Sequence, residues 1–127
     1  MGNCSCGCGN EVKEKFVMAC SGGSNVGQIS NSVMVKLKGK KNMRPYCLAG
    51  VGADLSGFIL TSKENETVLI DGCAVGCAKK IFEKNGITPT QYFVVTEMGI
   101  EKSYDYDKVD EDSSRIANEI VEKICNK

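Results

Sequence analysis

Eight cysteines and no histidine leave thiol sulfur as the strong soft donor of this 127-residue chain. Two of the eight stand four residues apart in Asp71-Gly72-Cys73-Ala74-Val75-Gly76-Cys77, between the apolar run Thr67-Val68-Leu69-Ile70 and a segment in which Ala78, Ile81 and Phe82 share one helical face. The run is aliphatic or β-branched and too short for a helix, so it reads as a buried strand. The segment after it reads as an amphipathic helix with Lys79, Lys80 and Lys84 on the outer side. Asp71-Gly72 is then the tight turn between strand and helix, and Cys73 and Cys77 bracket the first helical turn. There, unpaired backbone N–H groups and the positive end of the dipole favour thiolate over thiol. The chemistry such a pair offers is soft-metal binding or nucleophilic attack by sulfur.

The elements that must position these sulfurs follow from hydrophobic period and turn residues. Phe16-Val17-Met18-Ala19-Cys20 is a first strand, and Ser21 to Gly27 is a glycine-rich turn. Val26, Ile29, Val33, Met34 and Leu37 then recur at helical spacing, with Gly39 as the stop. The turn lacks the Gly-Lys-Ser/Thr ending of a phosphate-binding loop, and no GxGxxG is present. It reads as a tight turn that brings backbone close to a neighbouring site in preference to a nucleotide cradle. Arg44 to Gly52 is predicted to hold a second short strand that ends near Cys47, with Pro45 near its beginning, where a missing N–H is tolerated. A short helix is expected over Leu55 to Thr61, and the polar run Ser62 to Glu66 leads back to the central strand. Asn85-Gly86 ends the next helix, and Gln91 to Thr96 is a fourth buried strand. Tyr104 to Asp112 is acidic and reads as irregular, and Ile116, Ile120 and Ile124 mark a closing helix with one apolar stripe.

Four strands alternating with helices predict an α/β fold, a three-layer Rossmann-like or flavodoxin-like domain around a parallel sheet of about four strands. Ligand sites in such sheets lie at the carboxyl ends of the strands. Cys20, Cys47 and Cys73 each follow a different strand, so three sulfurs reach one edge. With strand order 2-1-3-4, Cys47 and Cys73 are about 9.6 Å apart, two spacings of about 4.8 Å. A cysteine Cα stands roughly 4 to 5 Å from a metal it binds, so the three converge above Cys20. Cys77, one helical turn beyond Cys73, supplies a fourth corner. The candidate metal ligands are therefore Cys20, Cys47, Cys73 and Cys77. An all-cysteine tetrahedral site suits zinc, with iron or an iron–sulfur cluster as the alternative.

A 42% apolar content and this length predict one domain with a real core, residues 11–127, preceded by a flexible arm over residues 1–10 that carries Cys4, Cys6 and Cys8. One-residue spacing in the arm is too tight for a zinc knuckle. It is either a weak set of ligands that passes metal or sulfur to the core, or an exposed terminus with reactive thiols. Met1-Gly2-Asn3-Cys4-Ser5-Cys6 lacks the Ser or Thr that a myristoylation signal places at position 6. Zero formal net charge argues against a nucleic-acid or anionic-membrane partner. With no signal-like or spanning apolar run, the chain is expected in a reducing cytoplasm, where clustered cysteines act as metal ligands or redox groups.

Three blocks carry a family resemblance. Ala19-Cys20-Ser21-Gly22-Gly23-Ser24-Asn25-Val26-Gly27-Gln28, Cys47-Leu48-Ala49-Gly50-Val51-Gly52 and Ile70-Asp71-Gly72-Cys73-Ala74-Val75-Gly76-Cys77-Ala78-Lys79-Lys80 resemble the DGC-domain family of zinc-binding proteins, named for Asp71-Gly72-Cys73. The resemblance runs from Phe16 to Lys102, and its one departure, Val75-Gly76, leaves the cysteines in place. It implies Cys20, Cys47, Cys73 and Cys77 as zinc ligands and implies no particular reaction. Two functions are compatible with these residues. One is a metal-binding protein with a structural or metal-handling role, whose closed four-sulfur shell leaves no position for a reactive water. The other is a thiol enzyme for redox or sulfur transfer through Cys73 or Cys77, with a protein partner to exchange metal or sulfur.

Overall fold

Burial on both faces is what makes the two central strands. In Lys15–Ala19 (β1) every residue from Phe16 onward is buried, and in Glu66–Asp71 (β3) every residue from Thr67 onward. Successive side chains alternate between the faces. Phe16, Met18 and Leu69 enter one hydrophobic layer, and Val17, Ala19, Val68 and Ile70 enter the other. Strands that bury both faces need helices on both, and the chain supplies them. Asn25–Leu37 (α1) and Val109–Cys125 (α5) contribute Val26, Ile29, Val33, Ile116 and Ile120 to one layer. Leu48–Gly52 (α2), Ser56–Glu64 (α3) and Cys77–Lys84 (α4) cover the other, with Val51, Ala78 and Phe82 fully buried.

The computed structural model describes residues 13–125, so the arm with Cys4, Cys6 and Cys8 lies outside the described residues. Met43–Pro45 (β2) and Gln91–Val94 (β4) complete an all-parallel sheet in the order β2-β1-β3-β4. The register pairs Val17 with Pro45, Ala19 with Ile70 and Asp71 with Val94. This is the three-layer arrangement of a Rossmann- or flavodoxin-like domain, with the expected strand order. Among the described residues no helix is long and apolar enough to cross a membrane.

Four local expectations are corrected. The second strand is only Met43–Pro45, and Leu48–Gly52 is helical despite two glycines. A Cβ on Gly50 would stand 2.7 Å from the Phe58 ring, so tight packing of α2 on α3 overrides low helix propensity. Ser62 to Glu64 continue α3, with Ser62 buried. The fourth strand stops at Val94 and turns into a 3-10 helix over Val95–Met98. Asp110, Glu111 and Asp112 are not irregular; they form the first turn of α5, where negative charge complements the helix dipole.

Candidate functional site

The chain leaves β1 toward one face and β3 toward the other, which opens a crevice between them at the carboxyl edge. Cys20 sits on its floor, still in the ladder, its N–H donating to Ile70 O at 2.9 Å. Cys73 lies two residues past β3, and Cys77 is the first residue of α4. These three sulfur residues line one cavity of about 240 Å³, walled also by Gly27, Gly72, Lys102 and Tyr104. Cys47 does not join them. It precedes α2 beyond the edge strand, exposed and without a side-chain capping bond.

Backbone against backbone forms the cavity wall. A Cβ on Gly72 would lie 2.8 Å from the Val26 carbonyl, and one on Gly27 would lie 2.7 Å from Gly22 N. The first turn of α1 is thereby pressed against both the end of β3 and the glycine-rich loop. Gly22 and Gly23, earlier in that loop, would meet nothing within 4 Å. Ser24 caps α1, its hydroxyl accepting from Gly27 N–H at 3.2 Å.

Asp71 holds the other wall. It is the last residue of β3, 1% exposed, and its carboxylate accepts from Ala78 N–H at 2.8 Å and Lys79 N–H at 3.0 Å. Those are the second and third residues of α4, the donors a capping side chain normally takes. The residue at the cap position, Gly76, has φ 68° and no side chain to offer. The helix therefore starts at Cys77 and does not include Cys73, contrary to the expectation that the two cysteines bracket its first turn. Tyr92 completes the carboxylate's shell with a 2.7 Å bond from its hydroxyl. Burial, and then the hydrogen bond to Asp71, push the Tyr92 phenol well above its ordinary value.

Two of the three sulfurs have polar neighbours. The fully buried Ser30 hydroxyl lies 3.6 Å from Cys20 Sγ and within bonding distance of the Cys20 and Gly27 carbonyls, which compete for its one proton. Lys102 Nζ lies 3.5 Å from Cys73 Sγ. Among the described residues, no three cysteine, aspartate or glutamate side chains are already grouped around one metal position. The donor chemistry fits a soft ion, and three of the four expected ligands line the cavity; the fourth, Cys47, is not among its lining residues.

The motif now has a structural setting that comparison can test. The DGC domain family matches residues 16–120, which takes in both walls, the cavity and most of α5. The chain belongs to the DGC-domain family. It is 31% identical over 106 residues to the anaerobic and virulence modulator AnvM of Pseudomonas aeruginosa, an alignment covering 83% of this chain and 81% of that protein. No solved structure matches the chain. In this DGC domain the three motif residues play separate parts. Asp71 caps α4, Gly72 admits the backbone of α1, and Cys73 reaches the cavity. Ser30, Asn25, Tyr92 and Lys102 also belong to the site of the DGC domain. Asn25, Tyr92 and Lys102 meet their partners only when distant elements pack together, whereas Ser30 bonds back along its own helix to Gly27 and to Cys20 ten residues before it.

Proposed function

We propose that the protein binds one soft metal ion, zinc foremost, through Cys20, Cys73 and Cys77, with Cys47 as the fourth sulfur. The observation that carries this reading is that three cysteines from two separate stretches line one small cavity at the carboxyl edge. At about 240 Å³ the cavity is smaller than the roughly 300–1,000 Å³ of most cofactor pockets, which favours an ion over a nucleotide. Bound zinc would supply a strong charge centre that cross-links strand ends and a helix start. The chain's own part is placement: the ladder bond of Cys20, the Asp71 cap that fixes Cys77, and Gly72, which brings Cys73 against α1. Cys47, exposed at the start of α2, is the sulfur that completes the set from outside the cavity lining. Iron in the same sulfur set is the next choice.

A second reading is favoured by one contact, the Lys102 ammonium beside the Cys73 sulfur. It suits a thiol that reacts with a small electrophile or disulfide. The P. aeruginosa relative is by its name a modulator. A thiol site that gains or loses a metal or sulfur would give this chain a regulatory role of that kind, exerted through a protein partner. The test is elemental analysis of protein purified anaerobically without added metal. About one zinc or iron per chain is expected from the one set of cavity-lining cysteines, lost on Cys73→Ser and retained on Cys125→Ser. Wild-type protein without metal overturns the metal reading.

A further inference from the structure

Lys102 is held beside Cys73 by a clamp that begins far away in sequence. Asn25 Nδ2 donates to Glu101 O at 2.9 Å, its Oδ1 accepts from Ser103 N–H at 2.6 Å, and its own N–H donates to Ser103 O at 2.8 Å. These bonds fix both neighbours of Lys102 to the first turn of α1, and Asn25 itself is buried. The residue between the two anchors lies over the cavity, its ammonium 3.5 Å from Cys73 Sγ. No carboxylate of the described residues forms an ion pair with it. A lysine on an unanchored surface loop spreads its charge over many positions. Here the backbone is pinned on both sides and the charge is delivered to one sulfur.

We propose that Lys102, positioned by Asn25, is a binding residue that selects anionic reactants for Cys73. The inference rests on the cavity being the functional centre, and it adds the ligand class: a small anion carrying an electrophilic or soft centre. The ammonium takes the anionic group, which leaves the reactive atom facing sulfur. In the attack, sulfur forms a bond to the electrophilic atom, the leaving group departs with the electron pair of its broken bond, and the thiol proton goes to solvent.

The probe pair is iodoacetate, an anion, and iodoacetamide, its neutral counterpart. Each forms an S–C bond and releases iodide. Full-length protein is labelled as purified and again after chelation, and label on Cys73 is located by fragment-ion sequencing, because Cys73 and Cys77 share a tryptic peptide. Lys102→Gln is expected to lower the iodoacetate-to-iodoacetamide rate ratio at Cys73 by about three- to tenfold at low salt, the effect of one nearby charge in a solvated setting. Lys102→Arg should keep the ratio, Lys102→Glu should lower it further, and Asn25→Ala should match Lys102→Gln. Salt of about 0.5 M should bring the wild-type ratio close to that of Lys102→Gln. Loosened structure alone would speed both reagents and leave the ratio unchanged. A ratio that Lys102→Gln does not alter overturns the inference. Metal content, measured on the same samples, bears on the metal reading alone, so the two failures are distinguishable.

Discussion

At Asp71 one side chain serves three donors, two backbone N–H groups of α4 and the Tyr92 hydroxyl. Removing this acceptor leaves the buried Ala78 N–H without a partner and takes the fixed acceptor from the part-buried Lys79 N–H and Tyr92 hydroxyl, so Asp71→Ala is expected to cost about 2–4 kcal/mol in urea denaturation, more than an ordinary cap. Tyr92→Phe removes one bond and is expected to cost about 0.5–1.5 kcal/mol near neutral pH. Its effect depends on pH with a definite sign. The folded-state phenol titrates above the ordinary tyrosine value of about 10, chiefly through burial and then through the Asp71 bond. Between the two values the unfolded chain has released this proton while the folded chain still holds it. The stabilisation is therefore intact below about pH 10 and drains away as pH rises beyond it. Urea midpoints of wild type and Tyr92→Phe should differ most near neutrality and converge at about pH 11. A constant difference across that range would show that the phenol's proton plays no part. Among the cysteines, Cys73→Ser should abolish retained metal, whereas Cys47→Ser, which alters a sulfur outside the cavity, should weaken retention less. Equal loss from both would place Cys47 in the shell on the same footing.

Between elements, the decisive contacts involve glycine. Gly72→Ala sets a methyl group 2.8 Å from the Val26 carbonyl, and backbone in the first turn of a capped helix cannot give way as a flexible side chain does. A loss of about 1–3 kcal/mol is expected, with changed metal retention because the same contact sets the cavity wall. Gly22→Ala, whose methyl would meet nothing within 4 Å, is expected within about 0.5 kcal/mol of wild type. Thermal or urea unfolding of the pair decides the matter. Equal stabilities would mean that α1 and β3 slide apart easily, and the rigid-wall account would fail. The same scale explains where helix α4 begins. Gly76 in the left-handed region breaks the helical path before Cys77, and the Asp71 carboxylate, arriving from the sheet, caps the helix from Cys77 onward. Cys73 is thereby left on a loop, where its sulfur faces α1 and Lys102.

In the whole molecule, the two hydrophobic layers and the cavity described here are built from residues 13–125. Deleting residues 2–9 should therefore leave the circular dichroism spectrum and the core metal unchanged and slow only metal exchange with a competing chelator. Loss of metal from a still-folded truncated chain would move ligands to the arm with Cys4, Cys6 and Cys8. The architecture itself was legible in the chain. Continuous apolar runs in Phe16–Ala19 and Thr67–Ile70, spacing-four isoleucines from Ile116 to Ile124, and stops at Gly39 and Gly86 are local patterns, and local patterns are enough to order strands and helices. Cys20 and Cys73 at the carboxyl edge followed from that order, because a parallel sheet delivers every strand end to one side. The rest needed tertiary structure. That Leu48–Gly52 folds as a helix, with the Phe58 ring packed close against Gly50, was invisible to propensity. Tyr92 reached Asp71, Lys102 came beside Cys73 and Ser103 met Asn25 because residues from 21 to 78 positions apart were brought together. Sequence reports what each segment can become by itself; which side chains share a cavity depends on distances that only the packed fold sets.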